Sequence, residues 1–395
     1  NPTSSIIPMQ ENVFLSEQWR DRDFHFQSVL CRAEAQRFAA SKRWIDRSGA
    51  VSYNHRITFP KRRITEITMK IYAFEAREDE TEYFNELSRL PGIDLELHSE
   101  GLTMDMIPKL SPGSGVSILG MYNYRKPELD LMKKSGIIYL STRTIGYNHI
   151  DVSYAKKIGI HVCNAQYDPH GVADYTIMMI LLCLRNYKQA LWRTQVNDYS
   201  LGGLIGRELK DLTVGIIGTG QIGSTVIKEL SGFGCRTLAY SRRKNPGIED
   251  LAEYVPLEKL YAESDIISLH TPLTDETHHM INADTLAKMK KGVVLINCAR
   301  GALTDVKALI SGIESEHIGA LGLDCMEYEE DIVHRDLKTD IFANRDMANL
   351  RQFKNVIHTQ HMAFYTDSAV KSMVHCGVHG LVEMSLKKNC ATQLC

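Results

Sequence analysis

The sequence predicts an α/β protein built from two doubly wound parallel-sheet domains, and three observations carry that expectation. The chain has 395 residues, enough for about two domains with sizeable cores. Short runs rich in Val and Ile alternate with helix-like stretches, the order that produces parallel sheets covered on both faces. One of those runs, ending at Ile217, leads into Gly218-Thr219-Gly220-Gln221-Ile222-Gly223 directly before an amphipathic helical pattern.

Residues 1–68 stand apart from this regularity. They hold two of the three tryptophans and many arginines, sustain no apolar period and end near Lys61-Arg62-Arg63. They read either as an N-terminal extension that packs on the core or as non-native or disordered sequence ahead of a natural start at Met69; the composition shift favours the second. From Met69 the text is regular. MKIYAFEA reads as a strand, and DETEYFNELSRL as a helix with acids in its first turn. Candidate strands follow at Ile93 to Leu97, Val116 to Leu119, Ile137 to Leu140 and Ile160 to Cys163. A second series comprises Val214 to Ile217, Thr237 to Tyr240, Ile266 to Leu269, Val293 to Ile296, Ala320 to Leu323 and Val356 to His358. A last helix runs from Asp367 to about Leu386.

Composition excludes several function classes. A formal net charge of −2 gives no electrostatic case for nucleic acid or an anionic membrane. The longest apolar stretch, Thr176 to Asn186, is interrupted by Arg185 and reads as a buried helix, with no membrane span expected. Nine cysteines without a CxxC pair argue for a reducing, cytoplasmic setting and against a disulfide framework or structural zinc, so no metal is expected.

The glycine turn carries the first chemical reading. Gly218 tolerates the positive φ of a tight turn, a side chain at Gly220 would hold the main chain away from a pyrophosphate, and the helix after Gly223 offers free N–H groups to an anion. Three further patches place polar residues at the C-terminal ends of predicted strands, where open α/β sheets form their ligand crevice. These are Arg300 in VVLINCARGALTD, Asp324 and Glu329 in ALGLDCMEYEED, and His361 in NVIHTQHMAFYTD. Each has an ordinary structural reading alone. Together they supply a cation for a carboxylate, a titratable proton carrier and an acid to tune it.

At these residues the chain resembles the D-2-hydroxyacid dehydrogenases, from Met69 to the C-terminal region. STRTIGYNHID (Ser141 to Asp151), HGVADYT (His170 to Thr176), GTGQIG, HTPLTDETHHMIN (His270 to Asn282), INCARGALTD (Ile296 to Asp305), GLDCMEYEE and HMAFYTD occur in the expected order. Within the family it is most similar to the D-lactate, D-2-hydroxyisocaproate and phenyllactate dehydrogenase branch. The resemblance implies that Arg300 grips the carboxylate of a 2-oxoacid, that His361 protonates the carbonyl oxygen and that Glu329 is the acidic partner of His361. It also implies that Ile145 and Gly146 help bind the substrate carboxylate through backbone N–H groups. Cofactor positions are Gly218, Gly220, Gln221, Ile222, Gly223, Ser241, Arg242, Thr271, Pro272, Thr277, Cys298, Ala299 and Asp324. The implied reaction is NAD(P)H-dependent reduction of a 2-oxoacid to the (R)-2-hydroxyacid, with pyruvate as first substrate and 2-oxoisocaproate or phenylpyruvate next. A nucleotide-sensing corepressor that binds partners without turnover is the non-enzyme alternative.

Two departures from the family pattern stand out. Ser241 occupies the place of an acid that usually binds the ribose hydroxyls, and Arg242 and Arg243 follow; NADPH is therefore expected to serve at least as well as NADH. Gln360 replaces a proline before His361, which removes one stiffening device from that approach. Cys298 reads as an inert buried thiol. Substrate size would follow from the side chains around Tyr122, Tyr124, Tyr147, Phe364 and Tyr365, although each of these aromatics reads first as a core residue. The expected architecture is a Rossmann-like nucleotide domain, 168–363, inserted into a flavodoxin-like substrate domain, 69–167 plus 364–395. The resemblance implies a homodimer, and the apolar Val172 to Arg185 stretch could form its interface helix, although burial within one subunit explains the same pattern.

Overall fold

The computed structural model describes residues 69–329, 332–340, 343–386 and 390–395. The expectation for residues 1–68 lies outside them. The described residues fall within one compact unit of the chain.

Two all-parallel sheets organise the structure. The first contains β1 (Met69–Ala73), β2 (Ile93–Leu97), β3 (Gly115–Ile118), β4 (Tyr139–Thr142) and β5 (His161–Cys163), in the order β2-β1-β3-β4-β5. The second contains β6 (Thr213–Ile217), β7 (Arg236–Tyr240), β8 (Glu253–Tyr254), β9 (Ile266–Leu269), β10 (Val293–Asn297), β11 (Ile318–Leu323) and β12 (Val356–His358), in the order β12-β11-β10-β9-β6-β7-β8. The fold class read from the sequence is the fold class found. Two details differ. The fourth strand starts at Tyr139 instead of Ile137, because Ile137 is still part of the turn after the preceding helix and donates to Met132. The two-residue β8 carried no apolar run by which to find it.

The helices are α1 (Thr81–Ser88), α2 (Lys126–Lys134), α3 (Val152–Ile158), α4 (His170–Leu184), α5 (Tyr187–Gln195), α6 (Gln221–Leu230), α7 (Leu257–Glu263), α8 (Ala283–Leu286), α9 (Val306–Glu314), α10 (Arg345–Leu350) and α11 (Asp367–Ser385). Several polar residues in the family motifs prove to be caps. Asp151 accepts from the Tyr154 N–H to start α3, Asp305 accepts from Lys307 to start α9, and Thr366 accepts from Ala369 to start α11.

Each sheet is covered on both faces by apolar side chains. The central strands of the second sheet show it most plainly, since every residue of β9 and β10 is buried. Helix α11 returns to the first sheet, where Val374, Val378 and Leu381 meet Ile71, Phe84 and Cys163. Helix α4 joins the second sheet's core through Ile177, Met179 and Ile180. The chain therefore passes between the sheets twice, after β5 and again between β12 and α11. Behind the first sheet's loops sits an ion pair between Arg143 and Glu80, both 0 % exposed, with Nε to Oε1 at 2.9 Å. The same guanidinium donates to the carbonyls of Phe74, Glu75 and Ser117, so its charge is fully bonded, as burial demands.

Candidate active site

All strands of the second sheet run parallel, so the turns after β6, β9, β10, β11 and β12 share one edge. The glycine turn follows β6. Gly218 has φ +99°, and a Cβ there would lie 2.4 Å from the His270 carbonyl oxygen. A Cβ on Gly223 would lie 2.0 Å from the Gly218 oxygen, which fixes the close approach of helix and turn. At Gly220, by contrast, a Cβ would meet nothing within 4 Å. This position caps α6, so the space before the helix N-terminus is open. A cavity of about 420 Å³ lies there, bordered by Gly220, Gln221, Ser224, Ser241 and Arg243 among others. Ser241, Arg242 and Arg243 line an adjoining one of about 520 Å³. These residues fit a dinucleotide, since the open helix end offers free N–H groups to an anion.

The remaining positions expected to meet a cofactor are built into turns on the same edge. Thr271 and Pro272 follow β9, and Thr277 closes their loop by donating to the Pro272 carbonyl at 2.7 Å. Ile222 lies in the first turn of α6. Cys298 and Ala299 follow β10, and burial pushes the Cys298 thiol far up, which keeps it protonated and unreactive.

Arg300 is set by its neighbour Asn297, a residue with no role in the sequence reading. The Asn297 side chain donates to the Arg300 carbonyl at 2.8 Å and accepts from the Ala299 N–H at 3.1 Å. Its place at the end of β10, in the motif INCARG, was the available signal. The guanidinium then reaches over the loop after β4. A Cβ on Gly146 would fall 1.8 Å from Arg300 Nη2, so this glycine is the floor on which the guanidinium rests. Thr144 donates to the Gly146 carbonyl, and Asn164 donates to the Ile145 carbonyl at 2.8 Å.

The turn after β11 touches the Arg300 turn: a Cβ on Gly301 would strike the Met326 carbonyl carbon at 2.0 Å. Glu329 ends that turn. One carboxylate oxygen accepts from the Met326 N–H at 2.6 Å, and the other meets His361 Nδ1 at 2.6 Å. Burial works against the His361 imidazolium, but the hydrogen bond and charge of Glu329 outweigh it and hold the imidazole above its ordinary value. With Nδ1 engaged by Glu329, Nε2 is left as the proton-bearing nitrogen for another acceptor.

Asp324 explains how His361 keeps its place without a preceding proline. Its buried carboxylate accepts from the Thr359 hydroxyl at 2.7 Å and from the N–H groups of Met362 and Ala363 at 2.9 and 2.8 Å. These bonds straddle His361, which has φ +55°. The clasp supplies the rigidity that Gln360 does not.

The aromatic residues separate. Tyr124 is fully buried in the first sheet's core, so it does not line the site. Phe364 lies three residues beyond His361 and is ringed by Tyr167, Tyr365 and His334, with ring centres 6.4, 5.9 and 6.1 Å away. Tyr122 and Tyr147 are exposed. His334, whose Nε2 lies 3.2 Å from the His361 carbonyl oxygen, and Tyr167 had no motif to mark them.

Comparison with known proteins agrees with this geometry. The family model described as D-isomer specific 2-hydroxyacid dehydrogenase, NAD binding domain, matches residues 177–363. The chain is 41 % identical over 327 residues to an aromatic 2-oxoacid reductase of Clostridium sporogenes, covering 82 % of this chain and 99 % of that one. It superposes on D-2-hydroxyisocaproate dehydrogenase with a TM-score of 0.74 at 34 % identity, over 82 % of this chain and 99 % of the other. The NAD-complexed D-isomer specific 2-hydroxyacid dehydrogenase of Lactobacillus delbrueckii ssp. bulgaricus gives a TM-score of 0.72 at 29 % identity, over 83 % and 100 %. With a cofactor turn, a guanidinium and a carboxylate-tuned imidazole on adjoining loops, the chain belongs to the family of NAD-dependent D-2-hydroxyacid dehydrogenases.

Proposed function

We propose that this enzyme reduces 2-oxoacids with an aromatic side chain, such as phenylpyruvate, to the (R)-2-hydroxyacid. The observation that carries the reading is the 2.6 Å pair of His361 and Glu329 with Phe364 three residues on. Phe364 and its aromatic neighbours favour a flat side chain over the methyl group of pyruvate, and the Clostridium relative named for aromatic 2-oxoacids supports the same choice. This puts phenylpyruvate ahead of pyruvate, the first expectation from the sequence.

In the proposed mechanism, Arg300 binds the substrate carboxylate through two parallel N–H groups, with the backbone N–H groups of Ile145 and Gly146 on its other side. A bound reduced nicotinamide supplies the hydride. His361 donates its Nε2 proton to the carbonyl oxygen, and Glu329 keeps that proton in place at neutral pH. Residues 168–363 act as the nucleotide-binding domain and residues 69–167 plus 364–395 as the substrate domain, with closure across the two crossings excluding water.

Three finer points belong to the same proposal. The lack of an acid at Ser241, with Arg242 and Arg243 lining the adjoining cavity, supports use of NADPH beside NADH. Exposed Tyr187, Leu191, Trp192, Val196 and Ile205, on α5 and the loop after it, support a homodimer; α4, the sequence candidate, turns most of its apolar face into its own core. No described helix is long and apolar enough to cross a membrane, and cysteines such as Cys163, Cys183 and Cys325 are free, in keeping with a cytoplasmic enzyme. The test is kcat/KM for phenylpyruvate, 2-oxoisocaproate and pyruvate with each reduced cofactor. Preference for phenylpyruvate supports the reading. Preference for pyruvate overturns the substrate assignment, and no turnover with any of them overturns the enzyme reading in favour of a binding module.

A further inference from the structure

Beside the catalytic loops lies a cluster that the reaction does not use. His278 and His279 follow Thr277, and Glu327 stands two residues before Glu329. The two imidazole rings stack with centres 3.9 Å apart. Both direct Nε2 at the same oxygen of Glu327, His279 at 2.9 Å and His278 at 3.9 Å. The backbone enforces this: His279 has φ +49°, which turns two consecutive side chains to one side. The Asn282 side chain donates to the His279 carbonyl at 2.9 Å and so helps hold the turn.

The charge balance of the trio is unusual. The Glu327 side chain is only 8 % exposed, yet among the described residues its ion-pair partners are these two histidines and no lysine or arginine. A nearly buried carboxylate needs a compensating positive charge. The three ligand atoms, two imidazole nitrogens and one carboxylate oxygen, lie within 4.8 Å of one another. Tetrahedral zinc with bonds of about 2.0–2.1 Å separates its ligand atoms by roughly 3.3 Å. Reaching that arrangement asks His279 to back away from Glu327 by about 0.4 Å, His278 to approach it by about 0.6 Å, and the two imidazole nitrogens, which lie within 4.8 Å of each other, to close by up to about 1.5 Å. His278 is 52 % exposed, so its side chain has room to move and the fourth position opens to solvent.

The geometry points to a binding site for one borderline transition-metal ion, Zn²⁺ or Co²⁺, held by His278, His279 and Glu327. Two imidazoles with one carboxylate suit these ions better than Mg²⁺ or Ca²⁺, which take oxygen ligands. The ion lies outside the hydride path. It ties together two loops that converge on the reaction, the one after β9 and the turn that ends in Glu329; the Arg300 turn is joined to the first of them by its Ala302 carbonyl, which accepts from the His279 N–H at 2.9 Å. The expectation of no metal rested on cysteine spacings; here the two histidines are adjacent and the acid is 48 residues away in the chain.

The experiment is titration of the full-length, tag-free protein, stripped with chelator, with CoCl₂ followed by its visible absorption and then with ZnCl₂ in competition. One ion per chain is expected at this site. Glu327→Gln and His279→Ala should each weaken binding by at least about tenfold, and His278→Ala, at the exposed side where folding is least at risk, should weaken it as well. His98→Ala is the control, because His98 sits between Glu96 and Glu100 on a separate surface and should leave binding unchanged. Absence of binding, or binding that survives both Glu327→Gln and His278→Ala, overturns the assignment.

Discussion

Gly146→Ala separates the proposed role of Arg300 from protein stability. The added methyl would fall 1.8 Å from Arg300 Nη2, whereas an unstrained contact needs about 3.5 Å. The guanidinium must therefore retreat by about 1.7 Å. It can do so, because the obstructing atom is the end of a flexible side chain and the main chain need not move. A misplacement of about 1 Å in a substrate-positioning group costs on the order of 10²-fold, so kcat/KM for phenylpyruvate should fall about a hundredfold, equivalent to about 2.7 kcal/mol of transition-state stabilisation. KM should rise with it, since the carboxylate grip acts in the ground state too. The assay is initial-rate loss of reduced-nicotinamide absorbance across substrate concentrations, with cofactor binding and thermal unfolding measured in parallel. Cofactor affinity and melting temperature should stay near those of the parent. Unchanged kinetics would refute the placement of Arg300 on Gly146; a collapse of cofactor binding or melting temperature would refute the claim that only the guanidinium moves.

Glu329→Gln exchanges a charged hydrogen-bond acceptor for a neutral one, a loss of about 1–1.5 kcal/mol. Because Glu329 raises the His361 pKa, its neutral replacement lets the imidazole lose its proton at lower pH. The alkaline limb of the reductive kcat/KM profile should then move to lower pH, with activity down about tenfold above the limb and converging with the parent at acid pH; a uniform loss at every pH would count against the pairing. Arg143→Met strands the buried Glu80 carboxylate and should lower the free energy of unfolding in urea by about 3–5 kcal/mol, whereas an unchanged transition would show that the pair is not buried as described. Leu191→Asp with Trp192→Glu, both on the exposed face of α5, should convert a dimer to monomers by light scattering, and an unaltered mass would exclude this face as the interface.

The candidate site residues, and their gathering at one edge, were legible where chemistry and strand ends coincide. Arg300, Glu329 and His361 each follow a run that becomes β10, β11 or β12, and in a parallel sheet those ends meet at one edge whatever the loops do. The glycine turn was legible because its spacing reflects local backbone demands. Asn297 and the Asp324 clasp were not legible as supports. Their partners are turns whose course depends on packing, and a polar residue at a strand end looks the same whether it touches a ligand or holds a loop. Each of the five aromatics read first as core, and the sequence did not say which of them would be: Tyr124 has polar neighbours in the chain, and only the packed sheet shows that its ring is inside while Tyr122 and Tyr147 are exposed.

Periodicity and glycine spacing are local properties, written in a few consecutive residues, so the sequence by itself determined the alternation of strands and helices and the glycine turn, while the family resemblance singled out Arg300, Glu329 and His361 as candidates. Contact between distant segments was decided only in three dimensions. Gly146 beneath Arg300, the aromatic ring around Phe364 and the meeting of His278 and His279 with Glu327 all depend on how two sheets and their connecting loops come to rest against each other, and no short window of sequence encodes that.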